Sequence, residues 1–308
     1  MTTHAREQHH PVVTNPSLVP YGAVVVGVDA ILTDIVLDWA IDHARAQGRP
    51  LVLAHASGPA WAERTVLDAE QLRDKLVKVG EDALEHGYER ARRRAGDDVR
   101  IERFVGIEDA AELLVGLSRR ASLVVVGSHG RGPVGRLLLG SVGVVVAERA
   151  ACPVAVHRPR RVGVVRQGVL VGIGATAHSR STLEVAFRLA SSHRLPLTIV
   201  HSRSELEATA TGPHLVSGDA LQDVDEERLQ VAETIAGLRE DHPDVHTTVH
   251  LARGRPDQAL TSLAGRMDLL VVGRHDGRRG QLVGGTAISI LEHSSCSVVV
   301  VPEVPTAP

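Results

Sequence analysis

The same succession of short aliphatic runs and glycine-bounded polar segments occurs twice in this chain, and that duplication limits the fold more than any other feature. Gly27 and Gly172, each in the first aliphatic run of its copy, are 145 positions apart; His55 and His201 are 146 apart, Gly127 and Gly273 146, and Cys152 and Cys296 144. So steady an offset marks an internal repeat. A period of this length means two domains in tandem rather than a solenoid, and 308 residues allow two domains of ordinary size.

Within the first copy, Ala23 to Asp29 reads as a buried strand ending in a carboxylate, followed by a helical pattern from Ile35 that ends near Gly48. Leu51 to Ala56 is a second strand. A long helix from about Val66 to Ala95, with Leu67, Leu72, Leu76, Val79 and Leu84 at mostly helical spacings, stops at Gly96. Val99 to Val105, Glu108 to Arg120 and Ser122 to Val126 then give strand, helix and strand. The second copy repeats the order through Val169–Gly172, Ser181–Ala190, Leu197–His201, Asp219–Glu240, Val245–Leu251, Pro256–Arg266 and Leu269–Gly273. Strands alternating with helices imply parallel strands joined by right-handed crossovers, the doubly wound α/β class. Composition agrees: 43% of residues are apolar, yet Phe, Trp and Tyr number two each. The cores are therefore aliphatic, as in parallel sheets buried on both faces.

After the aliphatic run Val124-Val125-Val126, the chain leaves the sheet at Gly127 and passes through a glycine-rich loop to Gly140-Ser141. There an apolar run, Val142 to Ala147, reads as a helix with Ser141 as N-cap. Strand, glycine loop and helix N-terminus together present free backbone N–H groups and the positive end of a helix dipole, an arrangement suited to phosphate. Arg131 and Arg136 add charge to the loop. Read as structure alone, the same segment is an ordinary strand-to-helix connection.

The spacing Gly127, two residues, Gly130, nine residues, Gly140-Ser141 resembles the nucleotide-binding signature of the universal stress protein family, G-2x-G-9x-G-(S/T), at every defined position. The resemblance covers nearly the whole chain. It implies in each domain a five-stranded parallel sheet of order 3-2-1-4-5 flanked by helices, with a ligand at the switch point between first and fourth strands. There Gly27 to Asp29 and Gly127 to Gly130 would meet. It also implies an adenine nucleotide, ATP with or without Mg2+, contacted by Gly27, Asp29, Ala56, Gly127, Ser128, His129, Gly130, Arg131, Gly132, Gly140, Ser141 and Val142. Asp29 would lie near the adenosine part and Ala56 in the adenine pocket. Read structurally, Asp29 instead caps the following turn. Family members commonly follow that Asp with Gly-Ser, where this chain has Ala30-Ile31.

The second copy departs further. Gly172, Gly273, Gly285 and Thr286 match the pattern, but Gly174 stands at the place of Asp29 and Asp276 at that of Gly130, in a loop one residue shorter. Arg274, Arg278 and Arg279 are placed to offset Asp276. A carboxylate near a phosphate opposes it by about a few kcal/mol at a protein surface, so the expectation is one intact ATP site and one degenerate site.

Other chemistries find little support. No G-x-x-x-x-G-K-[ST] loop and no G-x-S-x-G elbow is present. His129 and His275 occupy matching loop positions and read as hydrogen-bonding or solvated histidines. Among 17 histidines, His246 and His250 would share a strand face without an assignable third ligand. Cys152 and Cys296 read as buried, inert thiols. The runs Glu89–Arg94 and Asp223–Arg228 read as solvated helix faces. A net charge of −3 and scarce aromatics disfavour nucleic acid. No apolar run reaches membrane-spanning length and Met1–Pro20 has no signal-peptide core, so the expected address is the cytoplasm.

The resulting organisation is a disordered tail over residues 1–20, domain 1 over 21–158, a basic linker over 159–166, domain 2 over 167–303 and a tail over 304–308. The resemblance implies a nucleotide-dependent stress regulator without strong catalysis. Two alternatives stand beside it: a slow ATPase or nucleotidyl-transfer enzyme using His129 or Asp29, and an interaction module with incidental nucleotide. The last strands, Pro153–His157 and Ser297–Val301, are apolar edges that need covering, which suggests that the two halves pair and that whole chains form a homodimer.

Overall fold

The computed structural model describes residues 12–29, 34–58, 69–128, 140–158, 165–174, 179–203, 214–216, 225–253, 255–274 and 285–303. The chain forms two compact units, Met1–Val124 and Val125–Pro308. In the first, β1 (Ala23–Gly27), α1 (Asp34–Ala46), β2 (Leu51–Ala56), α2 (Ala69–Ala95), β3 (Ile101–Gly106), α3 (Ala110–Ser118) and the start of β4 (Ala121–Gly127) follow the expected alternation. Strand order is β3-β2-β1-β4. β1 and β2 pair in parallel from Val24↔Leu51 to Gly27↔Ala54, and β2 pairs β3 from Leu51↔Ile101 to Ala56↔Gly106. Val24, Val25 and Val26 are buried without a polar alternation, as strands covered on both faces require.

Two readings change here. The run Glu89–Arg94 is solvated on one side only. Arg93 pairs with Glu89 within the helix, whereas Arg90 and Arg94 make bidentate contacts to Asp38 and Asp42, one turn apart on α1. Those forks dock α2 on α1 through charge-assisted bonds. The described part of the expected N-terminal tail is also ordered against the unit. Val13 bridges Phe104 in parallel, exchanging bonds with Arg103 O and from Val105 N, Pro16–Leu18 forms a 3-10 turn, and Val19 is buried. A single extended residue shields the edge of β3, and low periodicity gave no sign of it.

The second unit contains the end of β4, then α4 (Ser141–Arg149), β5 (Val154–His157), β6 (Val169–Ile173), α5 (Ser179–His193), β7 (Leu197–Arg203), β8 (His214–Val216), α6 (Asp225–Asp241), β9 (Thr247–Arg253), α7 (Pro256–Ala264), β10 (Leu269–Gly273), α8 (Gly285–His293) and β11 (Ser297–Val301). Its order, β8-β9-β7-β6-β10-β11-β5, contains the expected 3-2-1-4-5 arrangement of the second repeat. The chain is thus α/β with a mainly parallel sheet. β8 is an addition, pairing antiparallel with β9 from His214↔Arg253 to Val216↔Leu251. The last strands pair with each other: β5 runs antiparallel to β11 at Val298↔Val156, Val299↔Ala155 and Val300↔Val154. The edge on which the homodimer expectation rested is therefore occupied within one chain. α4 and β5, first-repeat segments in sequence, cluster with the second unit for the same reason. Cys152 and Cys296 are buried thiols, and burial pushes the Cys296 thiol pKa up.

Candidate functional site: two strand ends and two helix starts

In the first unit, β1 delivers Gly27, Val28 and a half-buried Asp29 beyond the sheet. The ring of His55, itself buried, lies with Nδ1 2.8 Å from Val28 O. A carbonyl only accepts, so Nδ1 carries the proton. The bond ties the exit of β1 to the end of β2 and fixes the chain one residue before Asp29. In the repeat His55 serves merely as a landmark; its role needed the neighbouring carbonyl to be seen. Ala56 is the last residue of β2, paired with Gly106, and Ser57 N–H continues the ladder to Gly106 O at 2.8 Å.

In the second unit, Gly127 closes β4 and Ser128 is 3% exposed, its N–H donating to His157 O at 3.0 Å. Gly140 N–H reaches Ser128 O at 3.4 Å, so both ends of the glycine loop are held together. His129, Gly130, Arg131, Gly132 and Arg136 lie outside the described residues. α4 begins at Ser141, with Gly140 rather than Ser141 as the N-cap: the Gly140 carbonyl accepts from Val144 N–H at 3.3 Å, and no side chain caps the helix. The serine is one position too late to cap and is exposed in the first turn instead. The amides of Ser141, Val142 and Gly143 have no acceptor in the helix by construction. An uncapped first turn of this kind fits an anionic guest.

The second copy surrounds a cavity of about 240 Å³ between the ends of β6 and β10, lined by Gly172, Ile173, Gly174, Ser179, Thr182, Leu260, Val272, Gly273, Arg274, Thr286, Val301 and Glu303 among others. Its walls mix aliphatic side chains, Ile173, Leu260, Val272 and Val301 among them, with the polar Ser179, Thr182, Arg274, Thr286 and Glu303. A Cβ on Gly172 would stand 2.4 Å from Leu260 Cδ1, and one on Gly273 2.8 Å from Thr182 Oγ1. These glycines admit side chains from α7 and α5, a packing use that the motif alone does not distinguish from ligand approach. Gly174, where the first copy has Asp29, is exposed, and Gly285 with Thr286 opens α8. Arg274, expected to offset Asp276, donates from one terminal nitrogen to Ala147 O at 3.3 Å and Ala150 O at 2.9 Å, at the far end of α4. His275, Asp276, Arg278 and Arg279 lie outside the described residues. His246 precedes β9 and is exposed, and among the described residues no group of three metal-ligating side chains gathers. No helix of the described residues is long and apolar enough to cross a membrane.

The universal stress protein family model matches residues 20–158 and again 166–302. A universal stress protein of Mycobacterium tuberculosis is 31% identical over 304 residues, covering 90% of this chain and 96% of its own. Another, from Mycolicibacterium smegmatis, is 28% identical over 300 residues, covering 92% and 98%. Among solved structures, a universal stress protein from Archaeoglobus fulgidus superposes with a TM-score of 0.65 at 18% identity, covering 93% of this chain and 98% of that one, a likeness of fold. Matched by the family model in both halves and by full-length relatives, the chain belongs to the universal stress protein family as a member with two tandem domains.

Proposed function

We propose that the chain is an ATP-binding regulator, with one working nucleotide site in the first domain and no strong catalysis of its own. The observation that carries this reading is the uncapped start of α4 at Gly140-Ser141, reached by a loop whose glycine spacing is that of the family signature. First-turn amides and the helix dipole supply phosphate donors there. Family resemblance adds Asp29 for the adenosine part and Ala56 for the adenine pocket. The asymmetry between halves is supported by Gly174 in place of Asp29 and by Arg274, whose guanidinium is bonded to α4 carbonyls.

The test is calorimetric titration of the full chain with ATP, beside Gly130→Asp, which gives the first loop the carboxylate that the second carries as Asp276. One site is expected in the wild type, with affinity lowered at least about tenfold in the variant. Absence of binding, or equal affinity in the variant, would count against the proposal. Steady-state phosphate release well above that of Gly130→Asp would favour the enzymatic alternative.

A further inference from the structure

α4 is a nine-residue helix with different tasks at its two ends. Its N-terminus carries Gly140-Ser141. Its C-terminal carbonyls, Ala147 and Ala150, belong to residues 2% and 0% exposed, and both accept from Arg274, the residue that follows β10 of the second repeat. Arg274 is itself held in place, its backbone N–H donating to Val301 O at 2.6 Å. A cation is well placed at a helix C-terminus, where it meets the negative end of the dipole and the last unbonded carbonyls. Arg274 also lines the second-domain cavity. One guanidinium therefore touches both the second cavity and the helix that starts at the first phosphate loop.

The converse contact exists as well. Arg158, just after β5, donates through a terminal nitrogen to Leu291 O in the last turn of α8, and its N–H donates to Ser297 Oγ at 3.0 Å. Burial pushes its pKa down. Each repeat thus sends an arginine to the C-terminal end of the other repeat's Gly-(Ser/Thr) helix. The two arginines occupy different positions in their repeats: Arg274 matches Ser128, which is too short to reach, so the crossed contacts are built from unlike parts.

We propose that Arg274 is the positioning residue through which the second domain sets the nucleotide affinity of the first. The inference rests on the nucleotide reading above. Without Arg274 two buried carbonyls lose their donor, and α4 must shift or admit water to satisfy them. A nine-residue helix is only about 13 Å long and moves as a rod, so displacement at Ala150 is felt at Ser141. A guest in the second cavity that draws on the same guanidinium acts on the same helix, and linkage makes the effect reciprocal.

The experiment compares wild type, Arg274→Ala, Arg274→Lys and Arg158→Ala as full-length chains, by ATP titration and by amide hydrogen exchange without nucleotide. ATP affinity is expected to fall at least about fivefold in Arg274→Ala, to recover in part in Arg274→Lys, and to stay within about twofold of wild type in Arg158→Ala. Exchange should quicken in Ser141–Arg149 with Arg274→Ala, and in Gly285–His293 with Arg158→Ala. Wild-type affinity in Arg274→Ala overturns the inference, as does equal weakening by Arg158→Ala, which would mean general loosening. Should the wild type bind no ATP, the nucleotide reading fails by itself. Exchange then decides whether Arg274 positions α4: acceleration confined to that helix supports the role, and unchanged rates overturn it.

Discussion

Gly80 lies inside α2, where alanine would ordinarily favour a helix by about 1 kcal/mol. A Cβ there, however, would stand 2.4 Å from Ser57 Oγ and 2.5 Å from Val105 Cγ1. Val105 is a branched side chain on β3 and is only 1% exposed. Overpacking of this kind costs about 1–3 kcal/mol, so the contact outweighs the propensity. Gly80→Ala is expected to lower the urea midpoint, while Gly116→Ala, on an exposed face of α3 with nothing within 4 Å of its Cβ, should raise it. Stabilisation by both would show that α2 stands farther from the sheet. The comparison also shows what hydrophobic spacing misses. Leu72, Leu76 and Leu84 mark the inward stripe of α2 and Val79 looks like a member, yet Val79 is 58% exposed and Gly80 takes the inward place. Glycine has no hydrophobicity to register, so closest approach is invisible to a periodicity that counts apolar side chains.

Between helices, one carboxylate ties α7 to α8. Asp257 is 8% exposed and accepts from Arg255 Nε at 3.2 Å, from an Arg255 terminal nitrogen at 3.0 Å and from Ser289 Oγ at 3.0 Å. Hydrogen bonds from Arg255 first, and from Ser289, hold its pKa below the usual aspartate value. A depressed carboxylate pKa stabilises the fold at every pH above the unfolded value, about 3.9, and that stability fades as acid protonates the folded group. Asp257→Asn should therefore lose on the order of 1 kcal/mol near neutrality, modest because Arg255 is largely exposed. The gap to wild type should close as pH falls below the aspartate range, measured by urea unfolding at several pH values; a gap independent of pH would assign the loss to packing. Elements of this size were mostly legible. Aliphatic runs punctuated by Gly27, Gly127 and Gly273 announce β1, β4 and β10 because parallel strands leave no room for polar alternation. β8 was not, since His214-Leu215-Val216 is too short for a period and owes its pairing to β9, far along the chain. The glycine signature located α4, but the partner of its other end, Arg274, is fixed only by the tertiary fold.

At the scale of the molecule, the joint between β5 and β11 bears on association. Each strand gives its outer edge to the other in a three-pair antiparallel register, so neither is left as a template for a second copy. β8 likewise flanks β9, and Val13 flanks β3. Sedimentation equilibrium at micromolar concentration is expected to return the mass of one chain, 32.8 kDa; a stable dimer would require a surface other than the last strands. The same joint has a consequence for how the halves differ. Two separate polypeptides meeting along such strands would part on dilution and exchange partners, so every site would be averaged over identical neighbours. A covalent tether keeps local concentration constant whatever the cellular abundance, and each half is always joined to its unlike counterpart. Under the function proposed above, one loop is then free to serve phosphate while the other diverges, with no mixture of assemblies to blur the division of labour.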